Sequence, residues 1–174
     1  MKMKQIDIHS KGEYPANVLS NFYPNEFIFD GVRCASMEGL LQSLKTKNKK
    51  RAELVRSYSG KHAKMFFSRK PQNLRWKLTG KLYWNGRAMS RYSDEYQRFL
   101  DEAFFAMCQN PCFSKALADA AQLQLSHSIG KTDERDTVLT EYEFISRLQK
   151  CRERVLCQKT DPLTEIQRSS DIRI

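Results

Sequence analysis

The chain reads as mostly α, of the α+β class: a single compact helical domain with one or two small β-hairpins. Three observations predict this. Apolar residues recur at helical spacing behind capping residues. Asp-Gly and Asn-Gly pairs sit between short apolar and aromatic runs, the mark of tight hairpins. A length of 174 residues with 40% hydrophobic content suits one ordinary core. The domain is expected over residues 1–158. A polar, loosely ordered tail is expected over residues 159–174.

The elements follow in order. "QIDI", residues 5–8, predicts a short strand. "NEFIFDGVRC", residues 25–34, predicts two strands about the Asp30-Gly31 turn. Ser36 suits a helix N-cap, and Met37, Leu40, Leu41 and Leu44 follow at helical spacing. "KTKNKKR" reads as a charged connector, and "RAELVRSY" as a helix that stops before Gly60. "KHAKMFF" is expected as another short helix. In "NLRWKLTGKLYWNGRAM", residues 73–89, two aromatic runs flank Thr79-Gly80, and Asn85-Gly86 follows as a second turn. The expectation is a small β-hairpin inserted between helices.

The next helix is capped by Ser93. Its apolar stripe is Tyr92, Tyr96, Phe99, Leu100, Ala103, Phe104 and Met107. Asn110-Pro111 breaks it, and "FSKALADAAQL" continues as a second helix. "SHSIGKTDERDT" is a polar loop of the kind that lines a site. Thr140-x-x-Glu143 is a capping box opening a last helix that carries Phe144, Ile145, Leu148, Val155 and Leu156.

Composition excludes several function classes. No window approaches the ~18 apolar residues of a membrane span. "MKMKQIDIHSKG" has no apolar segment of the signal-peptide type, so a cytoplasmic protein is expected. The histidines His9, His62 and His127 are scattered, and the five cysteines are irregularly spaced, so no metal site is expected. Walker A, G-x-G-x-x-G, H-E-x-x-H and G-x-S-x-G signatures are absent. The net charge is +10, and it is uneven: residues 1–91 hold 19 Lys+Arg against 6 Asp+Glu, while residues 92–174 hold 11 against 14. A basic half of this kind attracts phosphate, in a nucleic acid or in a nucleotide.

What remains is Glu38. Helical spacing puts Glu38, Gln42 and Lys45 on one face, beside the apolar side formed by Met37, Leu41 and Leu44. Spacing alone favours a modest role, complementing the helix N-terminus for ~0.3–1 kcal/mol.

A resemblance changes that weighting. "LSNFYPNEFIFDGVRCASMEGLLQSLK", residues 19–45, resembles the opening motif of the NADAR (NAD- and ADP-ribose-associated, YbiA-like) family: a Ser-Asn-Phe turn, a hairpin, then a helix opening small-x-Glu and continuing with Gln and Lys. "SGKHAKMFFSR", "AMCQNPCFSKAL" and "LSHSIGK" resemble later blocks in the same order, so the likeness covers about residues 17–155. The family cleaves N-glycosidic bonds, in phosphoribosylamino-pyrimidines and in ADP-ribosylated guanine nucleotides or nucleic acid.

The resemblance thus implies an N-glycosidase acting on a ribosyl C1′–N bond, without a cofactor. Glu38 matches the family's essential Glu. Asn21, Lys45, Lys64 and Arg69 match its polar site positions, and Phe22 and Gln42 stand among them. Two departures bear on the site. "SRYSDEY" stands where the family has a Trp, so Tyr92 is the substitute; Tyr92 or Trp84 is then expected to stack on a base. The late loop offers Asp133 without the family's Trp-Gly, with Lys131 and His127 as alternatives for that space. Lys45, Lys64, Arg69 and Lys70 are expected to hold phosphates. The implied partner is a nucleotide-type small molecule, ADP-ribosyl or phosphoribosyl, or an ADP-ribosylated nucleic acid. Two rival readings stand beside this one: a non-catalytic ADP-ribose or NAD binder, and a basic nucleic-acid-binding protein.

Overall fold

The structure, a computed structural model, describes residues 4–160. It is mostly α. Eight helices and three two-stranded sheets occupy the described residues. Most of the expected tail therefore lies outside them.

Strand β1 (Gln5–Asp7) pairs in parallel with β6 (Gln124–Ser126), a pairing that no local signal announces. A short helix α1 (Ala16–Leu19) follows β1. The first hairpin joins β2 (Phe27–Phe29) to β3 (Val32–Cys34). Its turn residues Asp30 and Gly31 both have positive φ, 51° and 70°, as the turn chemistry requires. Helix α2 (Met37–Ser43) is buried throughout. Helix α3 (Lys49–Arg56) starts inside the expected charged connector, because Asn48 caps it by accepting the Arg51 amide proton at 3.0 Å. Helix α4 (Gly60–Phe66) follows.

Residues 73–89 correct the expectation. Pro71 opens a helix, α5 (Pro71–Thr79), and Gly80 ends it in the left-handed conformation. Thr79-Gly80 is thus a helix end rather than a hairpin turn. The second hairpin, β4 (Lys81–Trp84) and β5 (Arg87–Ser90), turns at Asn85-Gly86. The aromatic run before Thr79 hid this helix, since Trp76 is its one buried residue and Leu74 and Leu78 are exposed.

Helix α6 (Asp94–Met107) is capped by Ser93, whose Oγ accepts the Tyr96 amide proton. It buries Tyr96, Phe99, Leu100, Ala103, Phe104 and Met107, whereas Tyr92 precedes the cap and stays 49% exposed. Helix α7 (Pro111–Asp119) ends before the expected "AQL", which leads instead into β6. Helix α8 (Glu141–Thr160) starts at the expected capping box. There the Thr140 amide donates to Glu143 Oε2 at 2.7 Å, and the Glu143 amide donates to Thr140 Oγ1 at 3.2 Å. One continuous core joins α2, α6, α7 and α8 through residues such as Leu40, Phe104, Phe113 and Phe144.

Candidate active site

The site is built on the first turn of α2. Ser36 Oγ accepts the Gly39 amide proton at 3.0 Å and donates to the Tyr58 carbonyl at 3.1 Å. The helix start is thereby held against the chain leaving α3. A Cβ on Gly39 would fall 2.5 Å from the Tyr58 carbonyl oxygen, so glycine is what permits this approach. The Glu38 amide donates to the Asn21 carbonyl at 3.0 Å, which fastens the Ser20-Asn21-Phe22 turn beside the helix start.

A cleft of about 330 Å³ opens over this turn. One wall carries Asn21, Phe22, Glu38, Gln42 and Lys45. Helix α4 contributes Lys64, and α5 contributes Asn73, Trp76 and Lys77. The far wall is the loop over residues 127–140, with His127, Lys131 and Asp136 on the cleft. His127 is held there by a 2.6 Å hydrogen bond between Nδ1 and the Ile8 carbonyl, and by edge contact with Phe144.

Glu38 is 8% exposed. Its Oε1 accepts one hydrogen bond, from Gln42 Nε2 at 2.9 Å. Burial raises its pKa above the ordinary carboxylate range; the Gln42 hydrogen bond and the charges of Lys45 and Lys64 oppose this without cancelling it. Lys45 responds in the opposite sense. Burial pulls its pKa down to about 8, Glu38 resists, and the neighbouring cations Lys77, Lys64 and Lys131 add to the fall. Lys45 Nζ donates to Asn73 Oδ1 at 2.9 Å and stands 5.6 Å from the Trp76 ring centre. Lys64 Nζ lies 5.3 Å from the Phe22 ring centre. Two acids, Glu38 and Asp136, thus stand among four lysines in a half-enclosed space.

The site residues expected from sequence divide. Glu38, Asn21, Phe22, Gln42, Lys45 and Lys64 meet in the cleft. Arg69 does not line it; it sits on the exposed connection between α4 and α5. Lys70 lies over the Phe66 ring, 3.9 Å from its centre, rather than on the cleft. Trp84 is 8% exposed and packs on Phe29 and Phe99, with its Nε1 donating to Asp30 Oδ2 at 2.9 Å. It is a core residue on another side of the molecule. Tyr92 lies against Gly80, where a Cβ would meet its ring at 2.7 Å, and is likewise absent from the cleft lining. Asp133 pairs with Arg135 at 2.7 Å, which holds its pKa down at about 2, and it points to no cleft atom. Of the three late-loop alternatives, Lys131 and His127 line the cleft.

Trp76, Asn73, Lys77 and Asp136 were missed by sequence reasoning. The first three ride on α5, whose helical character had no apolar period to reveal it. Recognising the Pro71 N1 signal and the Gly80 C-cap would have found that helix. Among the described residues, no group of His, Cys, Asp and Glu gathers as a metal-ligand set.

The fold is YbiA-like. The solved structure of the Escherichia coli protein YbiA superposes with a TM-score of 0.56, covering 92% of this chain and 90% of that one at 15% identity, a likeness of fold. The family model described as Bacteriophage protein GP30.3 matches residues 13–153, and the chain belongs to that family. An uncharacterized 17.1 kDa protein from the Gp30–rIII intergenic region of Enterobacteria phage T4 is 35% identical over 157 residues, 87% of this chain and 99% of the relative. Among the described residues, no helix is long and apolar enough to cross a membrane.

Proposed function

We propose that the protein is a cytoplasmic N-glycosidase that hydrolyses a ribosyl C1′–N bond in an ADP-ribosylated or phosphoribosylated nucleotide. The observation that carries this reading is the buried Glu38 carboxyl, its pKa raised by burial, within a lysine-rich cleft. Burial that raises the pKa favours the protonated, neutral form of the carboxyl, the form a general acid uses.

The step balances as follows. The C1′–N bond breaks with its electron pair going to nitrogen, and Glu38 delivers its proton to that nitrogen. The resulting Glu38 carboxylate faces the oxocarbenium-like ribose and stabilises its positive charge. Water adds through oxygen to C1′ and returns a proton to Glu38. Gln42 Nε2, fixed on Oε1, orients the carboxyl. Lys45 and Lys64 stand where phosphate of the bound nucleotide offsets their mutual repulsion. Phe22, half-buried at the rim, offers an apolar face to the base.

The test is a panel of ADP-ribosyl and phosphoribosyl compounds incubated with the protein, with the released base read by mass spectrometry. Base release by wild type and its loss in Glu38→Gln support the reading. Tight ADP-ribose binding without any released base would leave a non-catalytic binder instead. Affinity only for nucleic acid, falling steeply with salt, would leave the nucleic-acid reading.

A further inference from the structure

The lysines of the cleft fall into two groups. Lys45 and Lys64 both act on the Glu38 carboxyl. Lys45 feels Lys77 and Lys131 as well as Lys64, whereas Glu38 feels only Lys45 and Lys64. Lys77 is also the one that is already paired: its Nζ lies 3.2 Å from Asp136 Oδ1, joining α5 to the far wall across 59 residues of sequence. Asp136 is the exposed partner, with 58% of its side chain accessible against 29% for Lys77.

Helix α5 depends on such tethers. It buries one residue, Trp76, and has no side-chain N-cap. Two polar contacts tie it across the cleft, Lys45 to Asn73 and Lys77 to Asp136, and both use a lysine that an anionic ligand would attract.

We propose that the Lys77–Asp136 pair is a phosphate-exchange clasp that selects a diphosphate-bearing ligand. The proposal rests on the glycosidase reading for the ribosyl part of the ligand alone. The first phosphate is held by Lys45 and Lys64 beside Glu38. The second reaches Lys77 and takes the place of the Asp136 carboxylate. The diphosphate as a whole carries two negative charges against one on the carboxylate, and the displaced Asp136 turns to solvent at little desolvation cost. A monophosphate ends short of Lys77 and leaves the clasp shut. Asp136 therefore acts against the ligand: it competes for the cation that the second phosphate needs.

This makes an unusual prediction for a residue on a binding cleft, since its removal should improve binding. Calorimetric titration with ADP-ribose, ribose 5-phosphate and inorganic pyrophosphate tests it in wild type, Asp136→Asn, Lys77→Ala and the double variant. Asp136→Asn is expected to tighten ADP-ribose and pyrophosphate about three- to fivefold, the scale of one exposed ion pair. Ribose 5-phosphate should be unchanged. Lys77→Ala should weaken the two diphosphates about tenfold or more, again sparing ribose 5-phosphate, and the double variant should behave as Lys77→Ala. Circular dichroism confirms the fold of each variant.

The clasp is overturned if Asp136→Asn leaves the diphosphates unchanged or weakens them. It is equally overturned if Lys77→Ala weakens monophosphate and diphosphate alike, or if wild type binds none of the three ligands. Diphosphate binding with these responses but no base release from any ribosyl compound upholds the clasp and refutes the glycosidase reading.

Discussion

Glu38 and Glu143 are the same residue type at nearly the same depth, 8% and 7% exposed, and their environments treat them oppositely. Burial pushes both pKa values up. At Glu143 that push is overcome by Arg91, by the Thr140 amide and by Gln97, so its pKa ends below the ordinary range. Arg91 is fully buried and meets Glu143 with two parallel bonds of 2.9 and 2.7 Å, and Gln97 Nε2 adds a third at 2.7 Å. At Glu38 a single amide donates, and the pKa stays raised. A buried carboxylate with all its lone pairs answered is architecture. Glu38, with its single donor and its place on the cleft, has the marks of a candidate functional group.

Arg91 also donates from Nε to the Thr137 carbonyl at 3.0 Å, and the Tyr96 hydroxyl donates to the Val138 carbonyl. The satisfied network thus stands behind the loop that forms the far wall of the cleft.

The comparison can be broken by removing each acid in turn. Glu143→Ala leaves Arg91 buried without its carboxylate partner and removes the Glu143 half of the α8 capping box, so a loss of ~3–5 kcal/mol is expected in denaturant unfolding. Glu38→Gln should leave stability unchanged or improved, because it removes a charge that burial disfavours. If the two substitutions cost the same stability, the distinction drawn between these carboxylates fails.

Turnover should reverse that order. Glu38→Gln is expected to lower the rate of base release on the order of 10²-fold or more while ligand binding is largely kept. Wild-type rates in the folded variant would remove Glu38 from the chemistry.

The cations come next. Lys64→Ala should weaken ADP-ribose binding by roughly 1–3 kcal/mol, the scale of a charge-assisted bond, whereas Arg69→Ala should bind nearly as wild type. Titration of both variants side by side checks the cleft boundary: an equal loss would place Arg69 on the ligand after all.

The smallest effects lie in pH dependence, and their signs differ. Glu143, with its folded pKa lowered, contributes stability above its unfolded value and loses it as pH falls through the folded one. Glu38, with its folded pKa raised, detracts from stability at neutral pH, and that penalty fades as pH falls through its folded value. Unfolding curves against pH should therefore be flatter in acid for Glu143→Gln. They should lose a stabilising rise on mild acidification in Glu38→Gln. Identical profiles for the two variants would contradict the opposite shifts.

The sequence by itself determined whatever short-range chemistry dictates. Ser36, Ser93 and Thr140 mark helix starts because their oxygens accept amide protons two or three residues on. Asp30-Gly31 marks a hairpin because few other pairs tolerate two positive φ angles. Helical spacing alone put Glu38, Gln42 and Lys45 on one face, and the Gln42–Glu38 contact follows from that i, i+4 relation. Only the tertiary structure decided which distant groups share the cleft. Trp84 and Tyr92 carry the right chemistry to stack on a base, yet packing on Phe29, Phe99 and Gly80 takes them elsewhere. Trp76, Lys77 and Asp136 reach the cleft because α5 and the 127–140 loop meet across it, and β1 finds β6 119 positions further along the chain. Such meetings depend on how whole surfaces pack, and no window of neighbouring residues holds that information.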